Sequence, residues 1–429
     1  MHRIFPAWHI LWHLQLIPHG KHDRVDPDQR RTLVKRCLAL VLILTTFVTA
    51  FLHEGIIWLK NQQLSDLFLN SGNRIVLLLT CSRAILTLLH ICLTTTLFLW
   101  RAGGIPRYVG KTQTLSERLG IGQTEKHRHR RIFVCLFFVP VFINAGRLLL
   151  FLVYLMKLNW LIKPVSYEVL RVSQGVASFA FEWFAEILGS TVTLSIILQV
   201  ASCARILREC LKAINTRLKA LRDRVDDPKD HEVEMRETER EVLEIRVLYE
   251  ALVKLFCRHE ATFSLQILGA IMTTSMTLFA QLSSFFKPDL TVIGVAIYAM
   301  GFTVGVYVLF IMCVFPIQLY EESLRTSETL QEIIHKRQLG KNLSYNKPEN
   351  QMNPREDDPA LQLLFSFLQR SITKPLAVSA GSFVYITRSF LITVTAVMAG
   401  FLLFIIERVE NQQQRSAMSC NCRNSSLTL

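Results

Sequence analysis

Long apolar runs constrain this chain more than any other feature of its sequence. Seven of them recur between residues 37 and 406, and each is long enough to form the helix of about 20 residues that crosses a lipid bilayer. With 51% apolar residues, the composition is also that of a membrane protein. The sequence therefore predicts an all-α membrane protein with seven transmembrane helices. The spans cover approximately 37–59, 75–100, 132–156, 175–203, 261–283, 290–316 and 387–406.

Lys and Arg are distributed unequally around these spans, and their distribution predicts the orientation of the chain. The N-terminal segment and the second, fourth and sixth connections carry 36 of them, while the other connections and the C-terminal tail carry 9. Because cytoplasmic loops are enriched in Lys and Arg, we expect the N-terminus in the cytoplasm and the C-terminus outside the cell. The formal net charge of +14 then indicates contact with anionic lipid rather than with nucleic acid.

This orientation divides the chain into membrane, cytoplasmic and extracellular segments, with long cytoplasmic helical extensions. Of the two glycosylation sequons at Asn342 and Asn424, only Asn424 is expected outside, where glycosylation occurs. The segments are a cytoplasmic N-terminus (1–36), transmembrane helices one to four with a ligand pocket (37–203), a cytoplasmic helical hairpin (204–260), transmembrane helices five and six (261–316), a cytoplasmic loop and assembly helix (317–386), the seventh transmembrane helix (387–406) and an extracellular tail (407–429).

The fourth connection has the pattern of two helices joined by a turn. Apolar residues recur at spacings of three and four on both sides of Asp226-Asp227-Pro228, where the first helix is expected to stop. A solvated hairpin and an assembly domain both fit this pattern, and we favour the second because the apolar stripes need a partner. The stripes consist of Leu207, Leu211, Ile214, Leu218, Leu221 and Val225, and of Val242, Ile245, Leu248, Leu252 and Leu255.

The last apolar stretch starts near Leu376 and is longer than a bilayer requires. A straight helix over 376–406 would be about 46 Å long, against a hydrocarbon core of about 30 Å. Arg388 marks the natural inner boundary of the span. We therefore expect 376–387 to form a separate helix packed below the membrane.

No residue set typical of an enzyme occurs in the sequence. It has no H-E-x-x-H motif, no glycine-rich phosphate loop and no G-x-S-x-G motif, so we expect neither an enzyme nor a bound cofactor. Cys420 and Cys422 form C-x-C in the tail, where we see no partners for a metal site. Seven of the ten Cys lie in or beside apolar helices, and we interpret them as small core residues: Cys37, Cys81, Cys92, Cys135, Cys203, Cys257 and Cys313.

Ionisable side chains inside the first four spans form the candidate ligand site. Each is costly in hydrocarbon and should face protein or water. With the orientation above, Arg83, Arg147, Glu182 and Glu186 all lie in the outer leaflet, and Trp183 borders the helix face that the two Glu residues share. Two interpretations remain open: the Arg residues neutralise the carboxylates as buried pairs, or the group forms the polar floor of a ligand cavity that opens outward.

The last span ends on a carboxylate–guanidinium pair, and its sequence resembles one protein family. Insect gustatory receptors, which are related to insect odorant receptors, have a last span with Thr-Tyr, five apolar residues and Gln-Phe. The matching residues here are Gly400, Phe401, the apolar LLFII and Glu407-Arg408; they depart at all four signature positions and keep the aromatic character at Phe401. The stretch ITRSFL at 386–391, the size, the seven spans and the orientation are also similar to the family.

The resemblance implies a tastant-gated, non-selective cation channel in the plasma membrane of sensory neurons, assembled as a homo- or hetero-tetramer with other gustatory receptor subunits. The four last spans would surround the pore, with Phe404 at a gate position and Glu407 at the position of the family's Gln. Val397 and Gly400 lie roughly on the same helix face. A ring of Phe404 would block ions by dewetting and a ring of Glu407 would favour cations. Alternatively, Glu407-Arg408 marks the membrane interface alone.

A seven-span G-protein-coupled receptor is the main alternative, followed by a secondary transporter. The Lys and Arg distribution predicts an orientation opposite to that of a G-protein-coupled receptor, and neither D-R-Y nor N-P-x-x-Y occurs. Transporters often contain an internal repeat, and we find none between the halves of this chain. The sequence therefore favours the channel.

Overall fold

The computed structural model describes residues 104–121, 123–161, 168–224, 231–285, 292–345 and 359–425. The N-terminal segment, the first two predicted spans, Arg83 and the middle of the sixth connection lie outside these residues. Within them the chain is helical apart from one two-stranded antiparallel sheet. The elements are α1 (Gly104–Arg118), α2 (Gln123–Leu161), α3 (Glu168–Arg224), α4 (His231–Ser284), α5 (Val292–Tyr345), α6 (Pro359–Thr373), β1 (Ser379–Ala380), β2 (Val384–Tyr385) and α7 (Arg388–Ser425).

Three of the helices are far longer than a bilayer is thick. α3 has 57 residues and α4 and α5 have 54 each, which at 1.5 Å per residue gives about 80–85 Å against a core of about 30 Å. Each contains one predicted span and continues well beyond it. In the described part of the chain, the stretches long and apolar enough to cross a membrane are Glu237–Ser283, Val292–Leu339 and Arg388–Glu407.

The core lies where α3, α4 and α5 pack together. The described residues of the two apolar stripes are buried in it: Leu207, Leu211, Ile214 and Leu218 on α3 are 0% exposed, as are Val242, Ile245 and Leu252 on α4. The stripes therefore find their partners inside the chain, against each other and against α5 and α6. A single chain thus already supplies the partner that the stripes need, and the assembly domain stays a prediction.

Helix α2 contains a proline in its interior, and α5 compensates for it. Pro140 has no N–H to donate to the carbonyl of Leu136, four residues earlier. The hydroxyl of Tyr307 on α5 donates to that carbonyl instead, at 3.0 Å. Nearby, the rings of Phe133 and Phe315 lie 5.4 Å apart. One face of α2 is thus fixed against α5.

Residues 376–387 do not form the predicted helix. Helix α6 ends at Thr373, just before Pro375, and the chain then forms the connecting hairpin (374–387), which holds β1 and β2. Gly381 and Ser382 at its turn have φ of 62° and 63°, a left-handed conformation that no right-handed helix contains. The apolar residues that suggested a helix are buried against the rest of the chain: Leu376, Ala377, Val378, Ala380 and Ile386.

Candidate functional site

One side of α7 is packed against the chain. The ring of Phe401 meets that of Phe279 on α4 edge to face, with centroids 4.7 Å apart. Ile405 is buried, and Val394 and Met398 pack against the core. These residues recur at spacings of three and four, so they form one face of the helix.

A neighbouring face of α7 carries the residues predicted to line a pore. Val397 is 56% exposed and Phe404 is 47% exposed, and Glu407 is exposed as well. A Cβ atom built at Gly400 would meet no atom within 4 Å. The spacings of three and four between these residues place all of them on one surface, which the described residues of the chain leave largely exposed.

α7 is also apolar and little buried along its length. Within its most apolar stretch only 6% of the residues are buried, against 39% for the corresponding stretch of α4 and 50% for that of α5. An apolar helix with so few contacts in its own chain is stable only when lipid or another chain covers it.

The N-terminal end of α7 is attached to α4 and α5 through the connecting hairpin. The backbone N–H of Ser379 donates to Oε1 of Glu260 at 2.6 Å, and that of Gly381 donates to the carbonyl of Ser264 at 2.8 Å. Both acceptors are on α4. At the first residue of α7, Arg388 forms an ion pair with Glu321 of α5. Movement of α4 against α5 would therefore be transmitted to the start of α7.

Sequence reasoning missed these attachment residues. Glu260 contacts a residue 119 positions away, and Glu321 contacts one 67 positions away. Neither helix shows a periodic signal at these positions, since a single carboxylate on a charged helix face resembles its solvated neighbours.

Of the predicted ligand residues, only Arg147 has a side chain that the structure describes. Arg147 lies on α2, partly buried. Glu182, Trp183 and Glu186 lie on α3, where the structure describes the helix but not these side chains. Arg83 lies outside the described residues. The ligand site stays a prediction.

The cysteines of the described residues fall into two groups. Cys203 and Cys313 are buried, as we expected, and so is Cys210, whereas Cys135 and Cys257 are exposed. The interpretation as core residues was therefore wrong for the last two, because each lies on the outer face of its helix. No group of three or more His, Cys, Asp and Glu residues able to hold a metal ion occurs among the described residues.

Comparisons with known proteins agree with this architecture. The family model of the 7tm chemosensory receptors matches residues 4–407. The structure of the insect olfactory receptor OR5 from Machilis hrabei is similar over 94% of this chain and 99% of that one, with a TM-score of 0.61 and 14% sequence identity. The same receptor in complex with eugenol matches over 94% and 97%, with a TM-score of 0.52 and 14% identity. No curated protein sequence matches the chain.

These matches confirm the all-α membrane fold and the resemblance to insect chemoreceptors. The family consists of receptors rather than enzymes. Because its model covers nearly the whole sequence, the chain belongs to the 7tm chemosensory receptor family.

Proposed function

We propose that this chain is a gustatory receptor subunit that forms a tastant-gated, non-selective cation channel in the plasma membrane of sensory neurons. The observation that carries the proposal is the exposed face of α7, where Val397, Gly400, Phe404 and Glu407 lie together on an apolar helix that its own chain leaves largely exposed. A central pore shared by several subunits accounts for the exposed polar and apolar face, along which ions pass. It also accounts for the few contacts of α7 within its own chain, since neighbouring copies cover the helix.

In this channel four copies of α7 surround the conduction path, in a homo- or hetero-tetramer. The N-terminus lies in the cytoplasm and Glu407 lies near the outer mouth of the pore. A ring of Phe404 side chains forms an apolar constriction that excludes water and ions when it is narrow. A ring of Glu407 carboxylates concentrates cations at the mouth, an effect that salt screens.

Tastant binding would open this constriction through the helices that hold α7. The similar olfactory receptor has been solved with eugenol, a small molecule, and this supports a small-molecule ligand here. We place the pocket among the first four spans, with Arg83, Arg147, Glu182, Trp183 and Glu186 on its walls. The attachment of the connecting hairpin to Glu260 and of Arg388 to Glu321 provides a route from those spans, through α4 and α5, to the pore.

Single-channel recording of pore variants tests the proposal. Glu407→Gln keeps a working channel but lowers its conductance at low ionic strength, because the ring loses its charge. Glu407→Lys reduces cation current far more, since a positive ring repels cations. Glu239→Lys is the matched control, because Glu239 is an exposed residue of α4 and the change in net charge is the same. Equal cation current in Glu407→Lys and the parent at two salt concentrations would show that Glu407 does not line the pore.

The gate is tested separately by Phe404→Ala. Widening an apolar constriction favours its hydration, so we expect current in the absence of any ligand. Phe365→Ala serves as control, because Phe365 on α6 is 44% exposed and the change removes the same ring away from the pore. Unchanged basal current in Phe404→Ala would contradict the gate.

A further inference from the structure

Helix α2 carries a continuous exposed stripe whose two ends differ in chemistry. The exposed positions recur at spacings of three and four, so they lie on one face of the helix. The stripe starts with two arginines and continues with apolar or small residues. It consists of Arg128, Arg131, Cys135, Phe138, Phe142, Ala145 and Leu149, and we call it the outer stripe of α2.

The apolar part of the outer stripe is extensively exposed. Phe142 is 71% exposed, Leu149 is 66% exposed and Phe138 is 47% exposed. The opposite face of α2 holds Phe133 and Pro140, which are buried, and it packs against α5 as described above. Because these exposed side chains lie within the third predicted span, 132–156, lipid acyl chains are the surroundings that match their chemistry.

The change from charge to apolar surface is abrupt. Arg131 is four residues from Cys135 and seven from Phe138, which at 1.5 Å per residue corresponds to about 6 Å and 10 Å along the axis. The headgroup layer of a bilayer borders its hydrocarbon core on the same length scale. The two guanidinium groups therefore lie at headgroup depth, directly above the acyl chains on the same side of the helix.

From this juxtaposition we infer that Arg128 and Arg131 bind the phosphate of anionic phospholipids whose acyl chains lie along the rest of the outer stripe. Residues three apart on a helix have Cβ atoms about 5–6 Å apart, so two guanidinium groups reach one headgroup. Planar guanidinium groups also pair with phosphate oxygens through two parallel hydrogen bonds.

The surrounding segment strengthens the attraction to an anionic headgroup. In the sequence, Lys126 and Arg130 join the two arginines, and Glu125 is the one acidic residue among 125–131; four basic residues next to a membrane span are typical of binding to acidic lipid. With the N-terminus in the cytoplasm, as in the proposed function, the lipid belongs to the inner leaflet. The inference rests on that orientation only for the choice of leaflet, and its test needs neither a ligand nor ion current.

Lipid retention by the purified full-length receptor tests the inference. The receptor is equilibrated with an equimolar mixture of phosphatidylcholine and phosphatidylserine of identical acyl chains, transferred to lipid-free detergent and measured by native mass spectrometry. We expect the parent to retain phosphatidylserine preferentially. Arg128→Gln with Arg131→Gln should weaken its apparent affinity by about thirtyfold, since each basic residue near an anionic surface contributes about a factor of five.

Two further double variants test whether a loss of phosphatidylserine retention is due to the charge at these two positions. Arg128→Lys with Arg131→Lys keeps the charge and should retain phosphatidylserine, which also shows that the site tolerates substitution. Lys212→Gln with Lys219→Gln removes two exposed charges from α3, outside the predicted spans, and should retain it as the parent does. The inference is overturned if the parent retains both lipids equally, or if the Arg-to-Gln variant retains as much phosphatidylserine as the parent. It is also overturned if the Lys-to-Gln variant loses as much phosphatidylserine as the Arg-to-Gln variant does.

Discussion

At the scale of single residues, a buried amide joins α3 to α5. Nδ2 of Asn215 donates to Oε1 of Glu322 at 2.8 Å, and its Oδ1 accepts from the hydroxyl of Thr326 at 2.8 Å. The three side chains are 3%, 5% and 0% exposed. Buried polar groups are tolerated when each has a partner, and here the donor and the acceptor of the amide are both used.

Removal of this amide should destabilise the receptor. Asn215→Ala leaves Glu322 and Thr326 buried with fewer partners, and we expect a loss of about 1–3 kcal/mol in the free energy of unfolding. The measurement is thermal unfolding of the purified receptor. Thr216→Ala is the control, since Thr216 is exposed and its hydroxyl bonds only to the carbonyl of Lys212 among the described contacts. Similar unfolding temperatures for the two variants would show that the contact between α3 and α5 is not maintained.

Two cysteines of the cytoplasmic extensions should differ in reactivity. Burial raises the pKa of the Cys210 thiol to about 12, whereas Cys257 is exposed. Because the thiolate is the reacting species, a pKa far above neutral pH keeps Cys210 protonated as well as inaccessible. We expect maleimide at pH 7 to modify Cys257 and spare Cys210 in the folded receptor, and to modify both after denaturation. Peptide mapping by mass spectrometry checks this, and early modification of Cys210 would contradict the buried core.

At the scale of elements, the connecting hairpin depends on a tight turn held against α4. A Cβ atom at Gly381 would lie 2.6 Å from Cδ2 of Leu268, while one at Gly120 would meet nothing within 4 Å. Both glycines have positive φ, of 62° and 71°. The two positions share the same backbone requirement and differ in their surroundings, so together they separate backbone strain from the contact with α4.

Gly381→Ala should therefore be more harmful than Gly120→Ala. The left-handed conformation costs each alanine about 1–2 kcal/mol, and only Gly381→Ala also has to displace Leu268. We expect a lower unfolding temperature and a smaller ligand-evoked current for Gly381→Ala, because this hairpin holds the start of α7. If the two variants lose equal stability, Leu268 moves aside without cost and the hairpin is not tightly held.

At the scale of the whole molecule, the helices differ in how much of their apolar surface the chain itself covers. The cytoplasmic stripes are buried within one chain, while α7 has only 6% of its most apolar stretch buried. Among the described helices, α7 is therefore the one that lipid or a neighbouring copy has to cover, whereas the helical hairpin buries its own stripes. This is the arrangement expected if assembly builds the pore.

Glycan mapping tests the orientation of the whole chain. We expect Asn424 to be glycosylated and Asn342 to remain unmodified, because the Lys and Arg distribution places them on opposite sides of the membrane. The mobility shift on deglycosylation should disappear in Asn424→Gln and persist in Asn342→Gln. A glycan on Asn342 would show that the orientation is the opposite of the predicted one. Arg128 would then face the outer leaflet, and Glu407 would lie on the cytoplasmic side. A tail tag accessible only after permeabilisation would favour the G-protein-coupled receptor alternative.

The sequence by itself determined the properties that depend on local composition and helical period. Apolar runs as long as a bilayer is thick identify spans without knowledge of their neighbours, and the face shared by Val397, Gly400, Phe404 and Glu407 follows from 3.6 residues per turn. The tertiary structure alone decided which apolar stripes meet and how α7 is held. The run at 376–387 has the hydrophobicity of a helix, but contacts with α4 and α5, more than fifty residues away, stabilise a hairpin there instead. Such contacts are absent from any local pattern because they form only when distant helices pack together.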